Sequence, residues 1–146
     1  MDEKIVKLIS DKKLNEAKVL AMKTYFLNKK KYYYYLGLCY CAEGKYSEAI
    51  EKFLKAEKLG LKHYLLYYNL GTAYIEINKL DNAKECLKKS IELNNNYNNS
   101  FLNLAYIYIK EKNLKAAYRI IKSVSCFNDV PLLYEIEENI YKELIK

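Results

Sequence analysis

Apolar residues recur along this chain in blocks that repeat every 34 positions, without a gap. The segment YYYLGLCYCAEGKYSEAIEKFLKA (33–56) aligns with YYNLGTAYIEINKLDNAKECLKKS (67–90), and both align with FLNLAYIYIKEKNLKAAYRIIKSV (101–124). In the first half of each block the matched positions, Tyr33, Leu36 or Gly37, and Tyr40, lie three or four apart and share one helical face. In the second half Ala49, Phe53 and Ala56 line up with Ala83, Leu87 and Ser90, then with Ala117, Ile121 and Val124. Small residues at Gly37, Gly71 and Ala105, and at Ala49, Ala83 and Ala117, allow two helices to approach closely. Large ones such as Tyr40 and Phe53 fill the space beside them. Gly44 and Asn78 mark the turn, where a left-handed backbone is cheap for these residues; Asn113 falls one place later in the third block. The pattern predicts helix–turn–helix units over 30–63, 64–97 and 98–130.

The two ends depart from it. KLNEAKVLA (13–21) matches KYSEAIEKF (45–53), but Ala17 precedes Ala49 by 32 residues rather than 34. The partner helix, around 2–11, places Lys4 and Ile5 in the Leu-Gly slots, so residues 1–29 read as a degenerate first unit. After Asp129, Pro131 suits a helix start, and LLYEIEENIYKELIK sets Leu132, Leu133, Ile136, Ile140 and Leu144 on a stripe with acids opposite. Residues 131–146 read as a capping helix, which brings the expected total to nine helices in a single domain, 1–146.

Composition narrows the function. With one proline, four glycines and 51% hydrophobic residues, the chain belongs with helical globular proteins. The start, MDEKIVKLISDKK, has early acids and no apolar core, so it is no secretory signal, and long apolar runs are absent; a cytoplasmic protein with no membrane insertion is expected. Net charge is +7, with 14 lysines against 8 acids in residues 1–63 and 2 against 4 in residues 131–146. Only Arg119 is an arginine, whereas planar recognition of phosphate and bases recruits arginine. The lysines therefore read as solvated helix faces rather than a nucleic-acid site. Cys39, Cys41, Cys86 and Cys126 form no CxxC pair and are expected as reduced thiols, and His63 has no ligand-type neighbour. No catalytic, metal-binding or cofactor-binding motif is present.

The aromatic, Leu-Gly, Tyr, Ala, Phe series at this spacing resembles the tetratricopeptide repeat. The aromatic slot holds Tyr33, Tyr67 and Phe101, and the resemblance covers at least 30–130; the family's proline before the next unit is replaced by Leu61, Asn95 and Asp129. The resemblance implies an all-α fold, a right-handed α-solenoid whose first helices line a concave groove. It also sorts the tyrosines of KYYYYLG: Tyr33 and Tyr32 hold units together, while Tyr34 and Tyr35 point to the groove. By the same slots the groove is lined by Tyr34, Tyr35, Leu38, Tyr68, Asn69, Thr72, Leu102, Asn103 and Tyr106, a surface that suits peptides.

Chaperone adaptors of the family grip a C-terminal carboxylate through lysine, arginine and asparagine. Here the corresponding slots hold Tyr34, Leu38, Asn69, Asn99 and Asn103, of which Asn69 alone fits, so no such clamp is expected. The resemblance implies a non-enzymatic interaction module or scaffold with a protein or peptide partner, similar in size to small chaperone-like adaptors. A structural component that assembles with itself or a larger complex is the alternative. An RNA-binding repeat carried by Lys12, Lys13, Lys29, Lys30 and Lys31 comes behind both.

Overall fold

The computed structural model describes residues 2–124 and, beyond them, Tyr134, residues 137–139, Tyr141, Lys142 and Ile145. Eight helices follow one another: α1 (Asp2–Ser10), α2 (Leu14–Thr24), α3 (Lys29–Ala42), α4 (Tyr46–Lys58), α5 (Tyr64–Glu76), α6 (Leu80–Leu93), α7 (Asn98–Lys110) and α8 (Leu114–Lys122). Among the described residues there is no strand. Of the expected ninth helix, Tyr134, residues 137–139, Tyr141 and Lys142 are helical, and its apolar stripe lies outside the described residues.

Each turn inside a unit is built the same way. Lys12, Gly44, Asn78 and Lys112 adopt φ of 58°, 73°, 59° and 59°. The next residue then reaches back five places, with N–H···O distances of 2.8 Å for Lys13–Leu8 and Asn113–Tyr108, and 2.9 Å for Lys45–Tyr40 and Lys79–Tyr74. This closure satisfies carbonyls left free at a helix end. In the third unit the left-handed residue is Lys112; Asn113 instead caps α8, its Oδ1 accepting from the Ala116 amide at 3.2 Å. A lysine in this conformation costs roughly 1 kcal/mol. Lys112→Gly is therefore expected to raise the Tm by a few degrees; an unchanged or lower Tm would show that the turn carries no such strain.

Successive helices pack in order: α3 on α4, α5 on α6 and α7 on α8 within units, and α2 on α3, α4 on α5 and α6 on α7 between them. The first helices also touch one another, α1 with α3, α3 with α5, and α5 with α7. The core follows a volume rule. Phe53 lies against Gly37, where an added Cβ would sit 2.5 Å from its ring, and Leu87 lies against Gly71, where an added Cβ would sit 2.9 Å from its side chain. In the third unit Ala105 meets Ile121. In the first, Ile5 occupies the glycine slot and the residue opposite it in the repeat shrinks to Ala21, both within one buried cluster. The degenerate unit thus exchanges large and small residues across the same contact. Close packing tolerates such compensated swaps better than uncompensated ones.

Between units, Ser90 and Ser100 are both buried, their hydroxyls 2.8 Å apart, and the Ser90 hydroxyl also lies 2.9 Å from the Tyr64 carbonyl. At the front of α3, Tyr33 packs on the core cluster around Phe53 with the Lys55 ammonium 4.5 Å over its ring. Tyr32 sets its ring edge-on to Tyr25, which follows α2, at 5.2 Å. Both tyrosines therefore join neighbouring helices.

Candidate peptide-binding groove

Because α3, α5 and α7 adjoin, the residues on their shared inner face form a continuous surface. Tyr34 is half-buried, its ring 5.9 Å from that of Phe53, and its hydroxyl accepts from the Asn69 amide at 3.0 Å. Burial pushes its pKa up to about 12. Leu38 is half-buried between the cluster of Phe53 and that of Ile5. Tyr68 meets the edge of Tyr97 at 5.0 Å, and burial raises its pKa also. Thr72 donates to the Tyr68 carbonyl at 3.0 Å and accepts from the Asn103 amide at 3.0 Å. Leu102 is half-buried, and Tyr106 is 50% exposed.

Tyr35 departs from expectation. It is only 5% exposed and packs with Ile5 and Ala21, so it does not line the open groove. The reason lies in its slot, shared with Asn69 and Asn103. In each unit this side chain reaches back to the preceding first helix. Asn103 on α7 bonds Thr72 on α5, and Asn69 on α5 bonds Tyr34 on α3. Tyr35 on α3 packs against Ile5 on α1. The two asparagines therefore act first as ties between units, one amide hydrogen being spent on each. The Lys31 ammonium, 2.6 Å from Asp2, secures the same junction and lowers the Asp2 pKa.

Sequence reasoning overlooked Tyr97. It precedes α7, in an asparagine run that reads as a mere helix end, yet its ring lies 5.0 Å from both Tyr64 and Tyr68. His63 occupies the equivalent place before α5, stacked on Tyr64 at 4.6 Å, while its Nδ1 caps that helix through the Leu65 amide at 3.2 Å. An aromatic ring just ahead of two successive first helices was the available signal.

The groove carries little reactive chemistry. Burial raises the Cys39 pKa to about 11 and those of Cys41 and Cys86 to about 12, which keeps these thiols protonated at neutral pH. Cys126 lies outside the described residues. Among the described residues no cluster of His, Cys, Asp or Glu is arranged to hold a metal ion, and no helix is long and apolar enough to cross a membrane. Away from the groove, Val19 and Met22 on α2 and Phe26 just after it form an exposed stripe, where the next units carry Glu51, Leu54 and Lys58, then Glu85, Lys88 and Glu92.

Comparison with known proteins agrees with this architecture. Residues 30–62 and 64–97 each match a family model described as tetratricopeptide repeat. No curated protein matches the chain. Among solved structures, YrrB, a TPR protein with an unusual peptide-binding site, superposes with a TM-score of 0.74 at 24% identity, covering 92% of this chain and 75% of its own. MamA superposes with a TM-score of 0.75 at 22% identity, covering 92% and 79%. The first TPR of Spaghetti (RPAP3), bound to the HSP90 peptide SRMEEVD, gives 0.68 at 20% identity, covering 77% and 96%. These likenesses bear on the fold, and with the repeat spacing and the family matches they identify the chain as a member of the tetratricopeptide-repeat family.

Proposed function

We propose that this chain is a non-enzymatic interaction module, a scaffold that holds a partner segment along the inner face of α3, α5 and α7. The observation that carries the reading is a continuous strip of half-buried and exposed apolar and tyrosine side chains, Leu38, Tyr68, Leu102 and Tyr106, on an open face. Amphipathic rings of this kind supply contact area at low entropic cost. Peptide binding by YrrB and by Spaghetti, which share the fold, supports the same use here.

A Tyr68→Ala/Tyr106→Ala variant tests the reading without touching Tyr34, whose ring packs on Phe53. Pull-down from native lysate is expected to lose specific partners with this variant, while circular dichroism shows an intact fold. Retention of every partner would sink the groove. Loss confined to a Met22→Ser/Phe26→Ser variant would move the working surface to the α2 stripe and favour assembly through the convex face.

A further inference from the structure

We propose that this chain also assembles with itself head to tail, the apolar stripe of the first unit in one copy docking in a tyrosine-lined cavity beside α8 of the next. The stripe is Val19 and Met22 on α2 with Phe26 just after it, 64%, 55% and 89% exposed. They surround a concavity of about 630 Å³ that Lys18 and Lys23 flank. In α4 and α6 the equivalent slots are charged but for Leu54, so the first unit differs from the two that follow it. Soluble monomers rarely leave such side chains clustered in the open.

The receiving surface lies beside the last described unit. A cavity of about 820 Å³ is lined by Tyr118 of α8 and by Tyr134, Glu137, Glu138 and Tyr141 of the helical residues beyond it. Those last four follow one another at three or four places and share one helical face. Tyr134 and Tyr141 are 60% and 70% exposed, so the rings are open to a partner. Phenylalanine packs on such rings edge-on or offset, and methionine sulfur rests favourably at their edges.

Charge selects a second copy as the occupant. Residues 1–29 carry seven lysines against four acids, and residues 131–146 carry two against four. Lys18 is paired with Glu43, whereas Lys23, beside Met22, makes no ion pair with a described residue. In the cavity Glu138 holds only its neighbour Lys142, at 2.7 Å, and Glu137 reaches Lys122 at 3.9 Å. Exposed pairs of this kind are weak and give way to a better-placed cation, a place that Lys23 fills. Lys115 and Arg119 of α8 line the same cavity, and Glu16, two turns before Lys23 on the same side of α2, is the matching acid. Pairing two stripes symmetrically would instead bring lysines together, since no acid lines the concavity around the stripe. A contact between two different surfaces repeats from copy to copy and gives open chains.

Analytical ultracentrifugation over a concentration series tests this with a stripe variant, Met22→Ser/Phe26→Ser, and a cavity variant, Tyr134→Ser/Tyr141→Ser, each alone and mixed. The parent is expected to grow past a dimer as concentration rises, and each variant alone to need about tenfold or more protein to associate at all. The equimolar mixture is expected to stop at a dimer, because one intact stripe and one intact cavity remain per pair. Glu137→Lys/Glu138→Lys is expected to weaken assembly, and Lys23→Glu in the same chain to restore part of it; this charge reversal decides the matter if a serine variant loses its helical circular dichroism. Tyr68→Ala/Tyr106→Ala, which alters the groove alone, is expected to assemble like the parent. A parent that stays monomeric up to about 1 mM, variants that assemble like the parent, or a mixture that stays monomeric overturns the proposal. Dimers lost in the stripe variant but kept in the cavity variant overturn it in favour of symmetric pairing of two stripes.

Discussion

Phe53→Ala is expected to destabilise the fold by about 3–5 kcal/mol, a large part of the roughly 5–15 kcal/mol that holds a domain together. Phe53 is fully buried, lies in the cluster with Ala49, Ala56, Leu66 and Leu70, and fills the space left open by Gly37. The converse change is informative too. Gly37→Ala sets a Cβ 2.5 and 2.6 Å from two Phe53 ring atoms, and overpacking of this kind costs about 1–3 kcal/mol. Gly71→Ala meets Leu87 at 2.9 Å and is expected to cost less. The volume rule predicts a rescue: Gly37→Ala combined with Phe53→Ile reproduces the Ala105–Ile121 contact of the third unit. Urea unfolding of the two single variants and the double variant gives the coupling directly. If Gly37→Ala is as stable as the parent, or if the double variant shows no favourable coupling, the rule is wrong.

Alkaline pH is expected to unfold the protein through its buried thiols and phenols. Burial raises Cys39 from 9.0 to about 11, Cys41 and Cys86 from 9.0 to about 12, and Tyr34 from 10.0 to about 12. Tyr67 rises from 10.0 to about 12, by burial first and then by the hydrogen bond its hydroxyl donates to Glu57 at 2.9 Å. All five folded values exceed the unfolded ones. Their contribution to stability is therefore complete below about pH 9 and lost as pH rises toward 11 and 12, because the unfolded chain releases protons first. With the thiols kept reduced, the Tm is expected to be nearly level from pH 7 to about 9 and then to fall by on the order of several degrees per pH unit. Cys41→Ala/Cys86→Ala removes two of the five groups and is expected to flatten that fall. A Tm that stays level to pH 11 in the parent protein contradicts the burial of these groups.

Much of the fold is written into the 34-residue period, because that period encodes two helical faces and a turn at once. The turn slots at Gly44 and Asn78 were legible from residue type; Lys12 and Lys112 were not, since lysine carries no preference for the conformation they adopt. The first unit looked degenerate because slot-by-slot matching misses compensation: Ile5 in a glycine slot makes sense only beside Ala21. The groove was legible as a face but not in depth. Slot position set Tyr34, Tyr68 and Tyr106 on the same face of their helices. It did not tell that Tyr35, Asn69 and Asn103 turn toward the preceding helix, because that depends on what the preceding helix offers. Tyr97 lay in a stretch with no helical periodicity, where pattern reasoning has no purchase.

Photo-crosslinking tests the central claim, that partners lie on the inner face, most directly. Benzoylphenylalanine is placed at Leu102, on the inner face of α7, and in a second protein at Lys88, on the outer face of α6. Each is irradiated in native lysate. The account predicts partner adducts from the probe at Leu102 and none of the same partners from the probe at Lys88. Adducts from Lys88 alone would place the partner on the convex face and leave the tyrosine groove without a role in binding.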